Sequence, residues 1–254
     1  ADEEFLHKPY YGKEEVILSV KNFSGKSFFD INFDLHKGEI LAITGLQGSG
    51  RDLLADALFG AEPYTGTLQV KNNTLKSGST IIDHMKNGIG MVPRSRKERG
   101  IHNDLSIYDN ISMAFFNTKF KRLLIDNRRE KERFLREQKA LSIKTDQPKN
   151  PITSLSGGNQ QKVIVGKWLE RSLDIFLMDE PTRGIDVMAK YQIYELMIKL
   201  ANQGKSIIMV SSEMPEILGV TNRIVVLSRR HVAGVVNTKE TNQEELLKLC
   251  AKYF

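Results

Sequence analysis

LSGGNQQKV, residues 155–163, places a serine and two glycines directly ahead of a helix-forming run that contains Trp168 and Leu169. A helix starting here aims its N-terminal N–H groups past the Ser156 hydroxyl and two residues without side chains, which suits an anion. Read alone, the same residues suit a Ser-Gly-Gly linker or a plain helix with Ser156 as its N-cap. The flanking sequence weighs against those readings. Upstream, GLQGSGRD (45–52) follows the apolar run EILAIT (39–44); downstream, IFLMDEPTRGID (175–186) ends four apolar residues in Asp179 and Glu180. A glycine loop, a Ser-Gly-Gly helix start and an apolar-Asp-Glu strand, in that order on one chain, form a phosphate-handling constellation.

Each part has its own chemistry. In the loop formed by Gly45, Leu46, Gln47, Gly48, Ser49, Gly50, Arg51 and Asp52, the glycines let backbone N–H groups converge on phosphate oxygens, and the following helix points at the same place. The loop departs from its pattern at the end, where Lys and Ser/Thr belong and Arg51 and Asp52 stand. Taken alone, a glycine turn joining strand to helix explains it equally well. Asp179, at a strand end, is the expected Mg²⁺ residue, through water. Glu180 is the expected group that polarises an attacking water. An apolar strand that happens to end in acids is the plainer alternative.

The rest of the chain frames these motifs. EVILSVKNF and KSFFDINFDL alternate as half-buried antiparallel strands do; EILAIT, DIFLMDE and KSIIMVSSE read as buried strands. RDLLADALFG reads as a helix stopping at Gly60, and DVMAKYQIYELMIKLANQG as one stopping at Gly204. From about 104 to 171 strand signals vanish and the apolar spacing is helical. NRIVVLSRRHVAGVV reads as a hairpin and the tail as a helix. The expected architecture is α/β, with a mostly parallel sheet and a helical subdomain. Residues 1–15 are expected to be a linker or an excision end, 16–236 the domain proper, and 237–254 a helical tail.

Composition narrows the class. Of 254 residues, 27% are charged and 40% hydrophobic, as in a globular chain. The formal charge of +6 favours anionic partners, but basic residues are spread out, and DNRREKERFLREQKA (126–140) mixes both signs as a solvated helix does. Cys250 is the single cysteine, which excludes an internal disulfide and fits a reducing compartment. No apolar run reaches the ~18–20 residues of a membrane span, and the acidic start has no signal-peptide core.

The motifs carry a resemblance. Over about residues 16–236 the chain resembles the nucleotide-binding domain of ABC transporters: LSGGNQQKV resembles the signature, IFLMDEP Walker B, RGID (183–186) the D-loop, and GLQGSGRD stands where Walker A belongs. GMVPRSRKERG (90–100) falls at the Q-loop and VSSEMPEIL (210–218) at the switch-histidine loop. More narrowly, GGNQQK, DEPTRGIDV, VPRSRKERGI and SSEMPEI resemble the ATPase subunits of bacterial monosaccharide importers, where one polypeptide carries two ABC domains, and this chain is similar to the second, C-terminal one. The resemblance implies a P-loop NTPase (RecA-like) core with a mostly parallel sheet, an antiparallel β-subdomain and a helical subdomain, and it implies ATP and Mg²⁺ as cofactors, with Asp179 and, as a second candidate, Asp52 at the metal. It implies as partners an N-terminal ABC domain, membrane permease subunits and, indirectly, a sugar-binding protein. It implies a peripheral place on the cytoplasmic face of the membrane.

In that family picture two domains stack head to tail, and each ATP lies between one domain's Walker motifs and the other's signature. The departures all fall on the chain's own site: Arg51 for Lys, Asp52 for Ser/Thr, Arg94 at the Q-loop Gln position, and Ser212 at the switch His position. The signature residues Ser156, Gly157, Gly158 and Asn159, which serve the partner's site, are in place. The implied function is an importer ATPase domain whose own site is degenerate and whose signature completes another. Two alternatives stay open: a soluble ABC ATPase acting on nucleic acid or ribosomes, which the absence of an aromatic-interleaved basic stripe disfavours, and a non-catalytic interaction domain. Phe23 is a candidate adenine-stacking residue or a core phenylalanine. DLSIYDNISM (104–113) is a candidate docking segment or helical core.

Overall fold

The computed structural model describes residues 15–116, 127–145, 147–169 and 173–253. These fall into two compact units, one holding residues up to 91, 174–180 and from 197 onward, the other 92–173 and 181–196.

The first unit is built on buried strands. β1 (Val16–Gly25), β2 (Phe28–His36), β3 (Ile40–Gly45), β4 (Tyr64–Val70) and β5 (Asn73–Leu75) come early; β6 (Ile89–Val92), β7 (Ile175–Asp179), β8 (Ser206–Val210), β9 (Arg223–Ser228) and β10 (His231–Asn237) follow. The main sheet has the order β10-β9-β3-β8-β7-β6, and the second sheet β2-β1-β4-β5. β3 pairs parallel with both β8 and β9, and β7 parallel with β8. Every residue of β3, β7 and β8 is buried, as strands covered on both faces require. β1 pairs antiparallel with β2 and β4, and alternating burial along β2 marks a strand with one wet face. The order puts the C-terminal ends of β3, β8 and β7 side by side, although about 130 residues separate β3 from β7 in the chain.

Short helices complete this unit. α1 (Arg51–Leu58) buries Leu54, Ala55, Ala57 and Leu58 and stops before Gly60, whose φ is +77°. α2 (Ile81–Lys86) starts on a capping box between Thr80 and Asp83.

The helical unit contains α3 (Ile107–Phe116), α4 (Asn127–Ala140) and α5 (Gly157–Leu169). α6 (Val187–Asn202) begins in it. Ile107 and Ile111 are buried, so DLSIYDNISM supplies helical core. Back in the first unit, α7 (Met214–Val220) and α8 (Gln243–Cys250) pack on β9 around Ile217, Ile224, Leu246 and Cys250. Burial raises the Cys250 thiol above its ordinary range.

The architecture is the expected α/β one, with a mostly parallel main sheet, an antiparallel sheet and a helical unit. It adds two elements, β5 and α2, that the sequence pattern does not announce.

Candidate functional site

The glycine loop turns where β3 ends. A Cβ on Gly45 would lie 2.5 Å from Ser49 Oγ and 2.6 Å from the Leu227 carbonyl, so the turn closes only around a bare Cα. Ser49 N–H donates to the Leu46 carbonyl at 3.0 Å. Gly50, at φ +92°, caps α1 without a side-chain bond, and a Cβ there would sit 1.9 Å from the Ser27 carbonyl. Leu46, Gln47 and Gly48 are exposed. Two hydroxyls here, Thr44 Oγ1 and Ser49 Oγ, are buried without a hydrogen-bond partner among the described residues. Buried orphan hydroxyls beside a glycine turn at a helix start fit a bound anionic group, which would accept hydrogen bonds from them and from the first-turn N–H groups.

The side chains that follow do something else. Arg51 does not reach over the loop. Its Nη1 donates to the Ser211 carbonyl at 3.1 Å, its Nη2 lies 3.3 Å from Glu180 Oε1, and its Nε lies 3.4 Å from Asp52 Oδ1. The Arg51 and Glu180 side chains are only 11% and 10% exposed, so this pair is largely withdrawn from solvent. Glu180 Oε1 also accepts from Ser212 N–H at 3.1 Å and Ser212 Oγ at 3.0 Å. Glu180 has φ +47°, a left-handed backbone that costs a residue with a side chain about 1 kcal/mol or more. Its own N–H is tied to the Val210 carbonyl at 2.8 Å. The carboxylate is therefore held by a cation and two donors, not left free toward solvent.

Asp52, in the first turn of α1, is 53% exposed. Asp179, at the end of β7, is 3% exposed. No group of three or more His, Cys, Asp or Glu able to hold a metal is present among the described residues. The loop residues, Asp179, Glu180 and Ser212 thus share one unit. Ser211 joins them through its carbonyl, and its N–H donates to the Ile43 carbonyl at 3.2 Å, rooting that segment on β3. Sequence reading missed Ser211, because a main-chain acceptor leaves no residue-type signal. Phe23 is fully buried, with its ring 5.6 Å from Phe28 and 4.5 Å from Tyr64, so it is core and unavailable for stacking on a base.

Arg94 and the signature residues lie in the helical unit. There Ser156 Oγ accepts from Asn159 Nδ2 at 3.1 Å at the start of α5, and Ser156 is exposed. Gly158 is buried, and a Cβ on it would lie 2.6 Å from the Ala189 Cβ. Gln160 Oε1 accepts from Arg96 Nε at 3.1 Å, and Gln160 Nε2 donates to the Leu155 carbonyl at 3.1 Å. The helix start is thereby braced from behind while its serine faces outward.

No helix among the described residues is long and apolar enough to cross a membrane. Residues 28–183 match the ABC transporter family. The chain is 49% identical over 243 residues to the galactose/methyl galactoside import ATP-binding protein MglA of Treponema denticola, covering 94% of this chain and 49% of that protein. It is 46% identical over 253 residues to the protein of the same name from Yersinia pestis, covering 97% of this chain and 49% of that one. The chain spans about half the length of the curated relatives it matches. Among solved structures, a nucleotide-free ATP-binding cassette from an ABC transporter superposes with a TM-score of 0.79 at 17% identity, covering 94% of this chain and 99% of that one. A dimeric bacterial ABC transporter cassette gives 0.74 at 21%, covering 87% and 98%. Those two likenesses concern the fold, and with the family match across the glycine loop, the signature and Walker B they lead to one conclusion: the chain belongs to the ABC transporter family.

Proposed function

We propose that this chain is an ATP-binding domain of a bacterial monosaccharide importer, the second of two ABC domains in one polypeptide, working at the cytoplasmic face of the membrane with permease subunits and, through them, a sugar-binding protein. The relatives' names, galactose and methyl galactoside import, support a hexose as the cargo. Mg²⁺-ATP supplies the cleavable phosphoanhydride and the metal charge that screens it. This chain's loop, Gly45 to Gly50, would hold phosphate oxygens through N–H groups and the Ser49 hydroxyl, while Asp179, with Asp52 as second candidate, would face the metal.

Its own site is the weaker of two. The observation that carries this is the commitment of Arg51 to Glu180 and the Ser211 carbonyl. The loop cation and the candidate base occupy each other, Asp52 adds negative charge, and Ser212 and Arg94 replace the groups expected at the switch and the Q-loop. Ser156, exposed at the start of α5, would complete the partner domain's site. The test is ATP turnover in the full-length protein. Glu180→Gln should change it less than about twofold, whereas Ser156→Ala should lower it by about tenfold or more, since a donor aimed at transition-state charge carries that weight. The reverse ranking would refute the assignment.

A further inference from the structure

The departures at Arg51 and Ser212 meet on one acceptor, Glu180 Oε1. Arg51 binds the Ser211 carbonyl and Glu180 Oε1; Ser212 binds Glu180 Oε1 through both N–H and Oγ. Lysine carries one compact ammonium and could not span both acceptors with fixed geometry, whereas a guanidinium fork presents several donors at once. Ser212, shorter than a histidine, gives its hydroxyl to the Glu180 carboxylate. The two replacements are complementary: one side chain becomes long where the other becomes short.

Building on the reading of this loop as a weak nucleotide site, we propose that Arg51 is the positioning residue that reports occupancy of the phosphate loop to the switch segment, the task that falls to a histidine reaching the other way. Arg51 stands at the first position of α1, directly after the last glycine of the loop. Its side chain joins the start of α1 both to the end of β7, through Glu180, and to the segment after β8, through the Ser211 carbonyl. With phosphate in the loop, Arg51 has a second set of oxygens to bind, and each bond it gives to them is one it withdraws from Ser211 or Glu180. No covalent step is involved; the guanidinium changes partners and stays charged. The Ser211–Glu213 segment then loses its bond to the start of α1, while those to the Ile43 carbonyl, to Glu180 and within itself remain.

Hydrogen exchange on the full-length protein separates the possibilities, because one experiment reads both ends. Peptides covering 44–52 report whether the loop is occupied, and peptides covering 210–214 report the switch segment. The probe is Mg²⁺ with adenylyl-imidodiphosphate, which is not hydrolysed. In the unaltered protein, protection at 44–52 should be accompanied by roughly tenfold faster exchange at Ser212, the effect of one charge-assisted bond withdrawn. In Arg51→Gln, Ser212 should exchange faster before nucleotide is added and show no further response. Should that variant fail to fold, Arg51→Gln with Glu180→Gln leaves no unpaired charge and must give the same insensitivity. Protection at 44–52 with an unchanged switch segment would overturn the relay while leaving the nucleotide site standing. A response that persists in Arg51→Gln would also overturn it. Failure of any nucleotide to protect 44–52 would overturn both.

Discussion

Replacing Asp52 with serine should tighten nucleotide binding at this chain's own loop. Two like charges about 4 Å apart repel by about 4 kcal/mol at an effective dielectric near 20, and by about 1 kcal/mol in water. The structure decides between these limits. The Asp52 side chain is 53% exposed, and its Oδ1 lies 3.4 Å from Arg51 Nε, so the carboxylate is both hydrated and partly compensated. The penalty it imposes on a triphosphate therefore sits near the lower limit, about 1–2 kcal/mol, or roughly tenfold in affinity. Loss of a first-turn acid from α1 costs the helix only about 0.3–1 kcal/mol, which serine in part restores. The assay is a fluorescent-nucleotide titration of the full-length protein, in which the weaker phase of Asp52→Ser should move about tenfold tighter. The gain should shrink between low and high salt, because the repulsion acts across solvent. Weaker binding that appears only with Mg²⁺ would identify Asp52 as a metal ligand and refute the repulsion. No change at any ionic strength would refute it as well.

Three further outcomes follow from the same geometry. Arg51→Gln and Glu180→Gln should each destabilise the fold by about 3 kcal/mol in urea titrations, because each leaves a buried charge unpaired, while the double variant should cost less than the sum by about 2 kcal/mol; strict additivity would show that the pair does not interact. Gly50→Ala should cost at least about 2 kcal/mol, and Gly48→Ala only about 1, since Gly48 shares the left-handed backbone but has open space around its Cα, and equal losses would refute the steric reading. Lys167, whose Nζ donates to the Gly100 carbonyl at 2.6 Å, is pushed down to about 8 by burial. The unfolded chain keeps that proton to about 10.4, so between these values it binds more protons than the folded state and stability rises with pH, by about 3 kcal/mol in all. The rise should be missing from Lys167→Met, and parallel stability curves for the two proteins would refute the assignment.

Much of the fold is legible because its strands are buried on both faces. ILAITG, IFLMD and SIIMV are unbroken apolar runs ended by glycine, acid or serine, and such runs have few other places to go. β5 and α2 are not legible for the opposite reason. β5 is three residues long, and α2 leaves Ile81 and Ile82 on its exposed side, so neither shows a periodic apolar face; only the Thr80–Asp83 capping pair marks the helix. At the site, residue types at fixed spacing identify the loop, Walker B and the signature. The direction in which Arg51 turns is not written in any local stretch. It follows from β8 lying between β3 and β7, which brings Ser211 and Glu180 beside the start of α1. Phe23 shows the same limit: its type allows a base stack or a core position, and only the rings of Phe28 and Tyr64 decide.

The pairing also explains why the loop keeps a cation at all. A loop released from phosphate binding has no need of charge at position 51, and a neutral residue there would remove a long side chain that is costly to order. Glu180 prevents that release. Its side chain is 10% exposed and its Oε1 accepts from Ser212 N–H and Oγ, so Arg51 rather than bulk water supplies its counter-charge. Without Arg51 it would be a buried carboxylate resting on two serine donors, a loss of about 3–5 kcal/mol by comparison with other broken buried pairs. Loss of Glu180 alone would leave Arg51 with the Ser211 carbonyl and the exposed Asp52 as its partners. The pair thus keeps a cation at position 51, which in the proposed relay engages phosphate weakly and pulls on the switch segment when it does.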